Sequence, residues 1–244
     1  MIKIGNAPCS WGVAFSDDPR NPGWRKVLAE NCQAGFSGIE LGPVGFMPED
    51  PIVLSEALDE FDQELIGGVV FRPFHDPNQW DFVLDGAVRT CKSLVAHCAE
   101  HLVLIDSISP RRASTAGRSD EAEQMSSAEW KAFKDRIAMI AKIGTEEYGL
   151  TVGIHAHAAG FIDFEPEIER LLEEIDENYL KICFDTGHHS YAGFDPTSFL
   201  RRYIERISYI HFKDIDPVVK ADVVSRRTDF YSACGQGIFC NLGD

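Results

Sequence analysis

Short apolar runs alternate along the chain with longer segments whose apolar residues recur at helical spacing. The longer segments predict helices, as in residues 80–95. Another helix is expected after Ser126, which forms a capping box with Glu129. The first helix of the chain is expected to begin at Asn21-Pro22. The short runs predict seven buried strands, over residues 2–7, 38–42, 64–71, 101–106, 150–155, 181–185 and 207–213.

The alternation of strands and helices predicts a parallel sheet. The alternative is an open doubly wound sheet, but the first turn reads Ala7-Pro8-Cys9-Ser10-Trp11-Gly12 and lacks that fold's GxGxxG signature. We therefore predict an α/β fold, a single (β/α)8 TIM-barrel domain over residues 1–244. After Lys213 the chain is polar, without an obvious eighth strand. The barrel is therefore expected to lack its last βα unit and to be incomplete at its C-terminal end.

Composition and charge exclude several kinds of binding partner. The formal net charge of −16 argues against nucleic acid, which requires a dense basic surface. No apolar run reaches the length of about 18 residues that a membrane span needs. The seven cysteines are odd in number and form no CxxC pair, which is typical of free thiols in a reducing cytoplasm. We expect a cytoplasmic protein that binds neither nucleic acid nor membrane.

Polar side chains that can bind a metal or move a proton lie at the ends of six consecutive predicted strands. In a barrel, the carboxyl ends of the strands form the catalytic face. A charged group beside a buried strand is costly unless it is paired or bound to a metal, and packing alone does not explain six in a row. The residues are Glu40, Arg72, His75, Asp106, His155, His157, Asp185, His188, His211 and Lys213.

Three of these residues form a candidate metal site. His155, Asp185 and His211 end neighbouring strands and could converge. A lone histidine is more often a hydrogen-bonded core residue than a ligand, but the three together favour a metal. Mixed nitrogen and oxygen ligands suit Mn²⁺, Co²⁺, Fe²⁺ or Zn²⁺ better than Ca²⁺.

Eight short motifs, spread over nearly the whole chain, carry a resemblance to a known family. They are Ala7-Pro8-Cys9-Ser10-Trp11-Gly12-Val13, Gly38-Ile39-Glu40-Leu41-Gly42-Pro43, His75-Asp76-Pro77, Ser109-Pro110-Arg111-Arg112, Ala116-Gly117-Arg118, His155-Ala156-His157, Asp185-Thr186-Gly187-His188 and His211-Phe212-Lys213-Asp214. The chain resembles the xylose isomerase-like TIM-barrel superfamily of sugar isomerases and epimerases. Within it, the chain is most similar to the inosose dehydratase branch of myo-inositol catabolism.

The resemblance implies a metal-dependent lyase that dehydrates 2-keto-myo-inositol, a small polyhydroxylated ketone. The implied cofactor is a divalent metal, Mn²⁺ or Co²⁺ first, with Zn²⁺, Fe²⁺ or Mg²⁺ as alternatives. Asp185 and His211 match ligand positions of the superfamily, and His155 lies near a strand-five position where many relatives carry a glutamate. The superfamily's last ligand is a glutamate on strand eight, before which this chain stops. Asp163 takes the place of a glutamate found in the dehydratases.

Dehydration needs a base for the proton next to the ketone and an acid for the departing hydroxyl. His157 and His155 are the candidates for proton transfer, because imidazole titrates near neutral pH. Lys213 is expected to protonate the leaving oxygen or to stabilise the enolate. The residues expected to bind substrate are Glu40, His75, Arg112 and His188, which would orient hydroxyls, and Trp11, which would form an apolar wall.

Two other functions stay open. A sugar isomerase or epimerase forms a similar intermediate and reprotonates it, but such enzymes usually place paired carboxylates where this chain has histidines on strand five. An inactive barrel could instead bind sugars without retaining a metal. The open sheet edges of an incomplete barrel favour self-association, so a homo-oligomer is expected whichever function is correct.

Overall fold

A computed structural model describes residues 3–243, and within them a seven-stranded parallel sheet forms the centre of the fold. Each strand pairs with the strand that precedes it in sequence, giving the order β1 to β7. This is the strand order of a TIM barrel and confirms the predicted fold class. The strands are β1 (Gly5–Asn6), β2 (Gly38–Glu40), β3 (Glu64–Arg72), β4 (His101–Asp106), β5 (Thr151–His155), β6 (Lys181–Asp185) and β7 (Ile207–His211).

Helices connect the strands, and several begin at an aspartate followed by proline. Asp50, Asp195 and Asp216 each accept backbone N–H bonds from the first helical turn, and the proline fixes the backbone at the first helical position. The helices are α1 (Trp24–Gln33), α2 (Pro51–Glu60), α3 (Trp80–Ala96), α4 (Pro110–Ala113), α5 (Ser127–Glu146), α6 (Glu165–Glu174), α7 (Thr186–Tyr191), α8 (Pro196–Tyr203), α9 (Pro217–Ser225) and α10 (Phe230–Gly235).

Two apolar layers hold the sheet. The larger one lies between the strands and the helices, and includes Leu102 and Ile154 from the sheet with Phe133 and Ile137 from α5. The smaller one fills the inside of the curled sheet, where Val103, Ile105 and Cys183 pack with Val69, Phe71 and Tyr209. This interior is narrow. A Cβ atom added at Gly67 would lie 3.1 Å from the Tyr209 hydroxyl, so glycine there makes room for the tyrosine.

The segment that follows β7 has more structure than the sequence predicts. Residues 214–215 and 239–240 form a short antiparallel pair, β8 (Asp214–Ile215) with β9 (Phe239–Cys240), and α9 and α10 lie between them. Val223, Phe230 and Ile238 from this segment pack with Tyr191 of α7 in a separate apolar cluster. The polar stretch after Lys213 therefore contains helices and a short strand pair that the sequence pattern does not indicate. Within the described residues, however, the parallel sheet does have seven strands, as predicted.

Some predicted boundaries need correction. The first helix begins at Trp24 with Gly23 as its N-cap, and not at Asn21-Pro22. The predicted first strand included Ile2, which lies outside the described residues, and β1 covers Gly5–Asn6 only. The polar loop over residues 107–125 contains α4 and a short 3₁₀ turn.

None of the helices within residues 3–243 combines the length and the apolar character needed to cross a bilayer.

Candidate metal centre and active site

The predicted ligands His155, Asp185 and His211 come together at the carboxyl ends of β5, β6 and β7. The strand register places Asp185 beside His211 and His155 beside Cys183, so the three lie on one edge of the sheet. Their candidate ligand atoms all lie within 4.8 Å of one another. His155 and Asp185 are buried, at 1% and 4% exposure. The sequence prediction that these residues converge is therefore correct.

One carboxylate oxygen forms the centre of this cluster. Oδ2 of Asp185 lies 3.1 Å from Nε2 of His155, 4.0 Å from Nδ1 of His211 and 2.9 Å from the Lys213 ammonium. The other oxygen, Oδ1, accepts the backbone N–H of His188 at 2.8 Å and caps α7. A single aspartate therefore connects the end of β6, the start of α7 and the residues after β7.

Opposite charges in the cluster stabilise one another's ionised forms. Burial would raise the pKa of Asp185, but Lys213 and the surrounding imidazoles hold that pKa well below its ordinary value. Burial disfavours the charged form of Lys213, yet Asp185 raises its pKa. Likewise, burial opposes the imidazolium of His211, but attraction by Cys183 and Glu40 raises its pKa well above its ordinary value. Asp185 is thus an ionised carboxylate at neutral pH, the form that a metal requires, whereas His211 must release a proton before it can bind a metal.

The donor set fits a divalent transition metal. Two imidazoles and one carboxylate form a mixed nitrogen and oxygen set of the kind that Mn²⁺, Co²⁺, Fe²⁺ and Zn²⁺ accept. His155 Nδ1 is buried and has no hydrogen-bond partner among the described residues, which leaves that ring without a second anchor. A buried imidazole with an unused nitrogen beside an ionised carboxylate is costly unless another group is bound there.

His157 and His188 form a second pair of imidazoles beside the cluster. Their ring centroids are 4.1 Å apart, and the His157 ring lies 5.9 Å from that of His155. His157 Nδ1 lies 2.9 Å from the carbonyl of Ala158, and the backbone N–H of Ala158 donates to His188 Nδ1. A carbonyl only accepts, so Nδ1 of His157 carries the proton and its Nε2 holds a free electron pair.

Burial, reinforced by His155 and Lys213, lowers the pKa of His157 to about 3. Burial and the neighbouring His157 also lower the pKa of His188 well below its ordinary value. Both rings are therefore neutral at neutral pH. A neutral imidazole with a free Nε2 can accept a proton, which is the role that the sequence predicts for His157.

His75 lies on the loop after β3, where Asp106 holds it. Oδ1 of Asp106 accepts the backbone N–H of His75 at 3.0 Å and lies 2.8 Å from Nδ1 of its ring, while Oδ2 accepts the backbone N–H of Phe161. Asp106 thus ties the loop after β3 to the loop that carries His157. The sequence marks Asp106 as the end of a strand but indicates no role for it, and its position at that end is the signal that was available.

Two predicted substrate-binding residues have partners of their own. Arg112 is 1% exposed and forms a buried ion pair with Glu167, at 2.8 Å. The Trp11 indole N–H donates to Glu30 of α1 at 2.7 Å. The structure therefore brings Glu40, His188 and Lys213 to the cluster, but joins Arg112 and Trp11 to groups outside it. Glu167 was missed, because 55 residues separate it from Arg112 and no local pattern links the two.

Cys9 was also missed as a neighbour of the cluster. Its thiol lies on the 3₁₀ turn after β1, where the residue is exposed and where Lys213 and Glu40 act on it electrostatically. The cysteine was visible in the motif that opens the chain, but a single thiol gave no reason to place it beside strand seven.

The chain is similar in sequence to a known family and to curated relatives. A family model described as "Xylose isomerase-like TIM barrel" matches residues 29–243. The inosose dehydratase of Geobacillus kaustophilus is 30% identical over 256 residues, which cover 100% of this chain and 79% of the relative. The inosose dehydratase of Salmonella typhimurium is 28% identical over 260 residues, covering 100% of this chain and 80% of the relative.

Solved structures show the same fold at lower identity. A probable 3-DHS dehydratase from Bacillus anthracis, AsbF, has a TM-score of 0.68 at 19% identity, covering 91% of this chain and 77% of that one. The IOLI protein, solved with a zinc atom bound, has a TM-score of 0.64 at 12% identity, covering 87% and 74%. An L-ribulose 3-epimerase has a TM-score of 0.67 at 14% identity, covering 100% and 89%.

Proposed function

The chain belongs to the xylose isomerase-like TIM barrel family, and from this premise we propose that it is a metal-dependent lyase that dehydrates 2-keto-myo-inositol. The observation that carries the proposal is the cluster of His155, Asp185 and His211, with the neutral imidazole of His157 beside it. The inosose dehydratases, which match the chain over its whole length, support the choice of substrate.

His155, Asp185 and His211 would hold the metal, with Mn²⁺ or Co²⁺ expected first. When bound, a divalent ion supplies Lewis-acid polarisation of the substrate carbonyl, which makes the neighbouring C–H more acidic. The burial of His155 and Asp185 keeps water from competing for these groups.

His157 is our candidate for the proton transfer. Its Nε2 would take the proton from the carbon next to the ketone, because Nδ1 is already occupied by the Ala158 carbonyl. With a pKa of about 3, the neutral ring is a weak base, and the imidazolium that forms is a strong acid that readily gives the proton up again. The same ring would then protonate the departing hydroxyl, so that one proton and one hydroxide leave as water. His155, the other candidate from the sequence, is assigned to the metal because it contacts Asp185.

Lys213 and His188 would act on the substrate oxygens. The Lys213 ammonium lies at the edge of the cluster, where a cation stabilises negative charge that develops on oxygen. His188 accepts the Ala158 N–H at Nδ1, so its neutral ring carries a proton on Nε2 and can donate it to a hydroxyl. His75 would likewise orient a hydroxyl, while Asp106 fixes the position of its ring.

Turnover of 2-keto-myo-inositol tests the proposal. The chain is incubated with Mn²⁺ or Co²⁺, and the conjugated dione product is followed by its absorbance. We expect product formation that EDTA abolishes, and we expect His157→Gln to lower kcat by about 100-fold or more, the usual contribution of a positioned general acid or base. The matched control is His97→Gln, on the far end of α3.

Each alternative function predicts a different result. Epimerisation of ketose sugars without formation of the dione would favour the isomerase. Binding of the ketone without turnover of any sugar, with or without metal, would favour the inactive sugar-binding barrel. Full turnover by His157→Gln would remove His157 from the mechanism and leave the proton transfer to another group.

A further inference from the structure

Glu40 lies directly behind one of the candidate metal ligands. It is the last residue of β2, on the opposite side of the curled sheet from β7, and it is 4% exposed. Its Oε1 lies 2.8 Å from Nε2 of His211. The two residues are 171 positions apart, so the contact depends on the curvature that brings β2 and β7 together.

This contact determines which nitrogen of His211 faces the cluster. An ionised carboxylate only accepts hydrogen bonds, so the proton of the contact belongs to Nε2. Nδ1 is then the nitrogen on the other side of the ring, and it lies 4.0 Å from Oδ2 of Asp185. Histidines that bind metals commonly donate their second nitrogen to a carboxylate in this way, which fixes the orientation of the ring.

We propose that Glu40 is a positioning residue, which holds the His211 ring so that Nδ1 points at Asp185 and is available to a metal. The proposal deepens the function proposed above and rests on its metal site. It also replaces the role expected from the sequence, in which Glu40 bound a substrate hydroxyl.

The other contacts of Glu40 support this role. The hydroxyl of Tyr209 lies near the carboxylate and helps to lower its pKa, and the Tyr209 ring lies 5.6 Å from that of His211. The Tyr209 hydroxyl in turn lies directly over Gly67, where a side chain would leave it little room. Glu40 therefore faces two side chains of β7, His211 and Tyr209, which supports a role in holding the His211 ring.

Metal affinity is the measurement that tests the proposal. Binding of Mn²⁺ and Co²⁺ is measured by isothermal titration calorimetry for the wild type, Glu40→Ala and Glu40→Gln. We expect Glu40→Ala to weaken the affinity by about 10- to 100-fold, the usual effect of losing such a partner. Glu40→Gln should recover part of the loss, because its amide oxygen can still accept the Nε2 proton. At saturating metal, KM for the ketone should change by less than about twofold, since ground-state substrate binding is not affected.

The matched control is Glu167→Gln, which alters another buried carboxylate without contacting the cluster. It should leave the metal affinity unchanged, and circular dichroism checks that each variant is folded. An unchanged metal affinity in Glu40→Ala together with a raised KM would overturn the proposal and restore the substrate-binding role. A wild type that binds no divalent metal would overturn this proposal and the metal site together.

The two proposals can still fail separately. If Glu40→Ala weakens metal binding while the wild type does not dehydrate the ketone, the positioning role stands and the proposed substrate is wrong.

Discussion

Asp163 is a buried carboxyl group with only one of its oxygens in use. Its Oδ2 accepts the backbone N–H of Ala159 at 3.0 Å, whereas Oδ1 has no partner among the described residues. The side chain is 2% exposed, and Arg112 and Glu167 are the charged groups that act on it. Burial raises its pKa from 3.8 to about 7, an effect that Arg112 only partly offsets. The residue therefore takes up or releases a proton near neutral pH.

This shift predicts how stability depends on pH. Because the pKa in the folded protein is raised, the folded state binds more protons than the unfolded state between about pH 4 and pH 7. Stability contributed by this group therefore falls as the pH rises through that window, by at most about 4 kcal/mol at 1.36 kcal/mol per pKa unit. We expect Asp163→Asn, which resembles the protonated form, to gain stability relative to wild type between pH 5 and pH 8. Urea unfolding at several pH values measures this.

Asp17→Asn serves as the control, because this aspartate is exposed in the loop before α1. Its stability should follow the wild type at every pH. If the difference between Asp163→Asn and the wild type does not change between pH 5 and pH 8, Asp163 does not titrate in that range.

Single residues show how far the sequence predicts the site. His155, Asp185 and His211 could be found because each ends a recognisable strand, and adjacent parallel strands bring their ends together. The pairs Glu40–His211 and Arg112–Glu167 could not be found, because they join distant segments across the barrel or between loops. A single sequence contains no periodicity that relates such positions, so the roles of Glu40 and Arg112 were assigned without their partners.

At the scale of elements, local hydrogen-bond chemistry decided which predicted boundaries were correct. The capping box at α5 is present: Ser126 Oγ accepts the Glu129 N–H, and Glu129 accepts the Ser126 N–H at 2.8 Å. Asn21, by contrast, donates its side-chain amide to the carbonyl of Phe15. That bond closes the preceding loop, so the asparagine is not the N-cap of α1, which starts at Trp24.

Strand seven ended earlier than predicted for a similar reason. Residues 207–213 have the apolar pattern of a strand, but β7 stops at His211. The backbone N–H of Lys213 donates to Thr186 Oγ1, and the Thr186 hydroxyl donates to the carbonyl of Lys213. The chain leaves the sheet to form this pair with α7, which also brings the Lys213 side chain to Asp185.

The capping box yields a prediction for α5, the longest helix described. Ser126→Ala removes the acceptor for the Glu129 N–H and should lower the free energy of unfolding by about 1 kcal/mol. Ser127→Ala, one position later and equally exposed, is the control and should have almost no effect. Chemical denaturation followed by circular dichroism measures both variants. Equal losses in the two variants would show that the Ser126 cap does not stabilise α5.

At the scale of the whole molecule, binding of a metal should stabilise the fold. The three candidate ligands come from β5, β6 and β7, so an ion that binds them joins three strands and binds the folded state only. At 100 times its dissociation constant, such an ion adds about 2.7 kcal/mol. For a chain of this length, that corresponds to a rise in Tm of about 5–10 °C.

Differential scanning fluorimetry with Mn²⁺, Co²⁺, Zn²⁺ and Mg²⁺ measures the shift and ranks the metals, and EDTA should reverse it. Asp185→Asn is the matched variant, because it removes the charge from the central ligand while its amide can still cap α7. It should show no rise in Tm. A rise of the same size in Asp185→Asn would show that the metal binds elsewhere.

The fold class was predictable because each strand and helix repeats the same local pattern. The segment after β7 was not, since its helices are short and its strands have two residues each, too short for a period to appear. The single domain, the cytoplasmic location and the homo-oligomer stay predictions. Ile210 of β7, the last strand of the sheet, and Phe212 just after that strand have exposed side chains, which supports a test for self-association.

The sequential order of the strands has a consequence for protein synthesis. Because every strand pairs with the one made just before it, a nascent chain can extend the sheet by one strand at a time as it leaves the ribosome. The candidate metal ligands lie on β5, β6 and β7, and Glu40, which contacts His211, is made much earlier. The emerging chain therefore holds Glu40 in the sheet before His211 is made. His155, Asp185 and His211 come together only when β7 joins the sheet and His211 reaches Glu40.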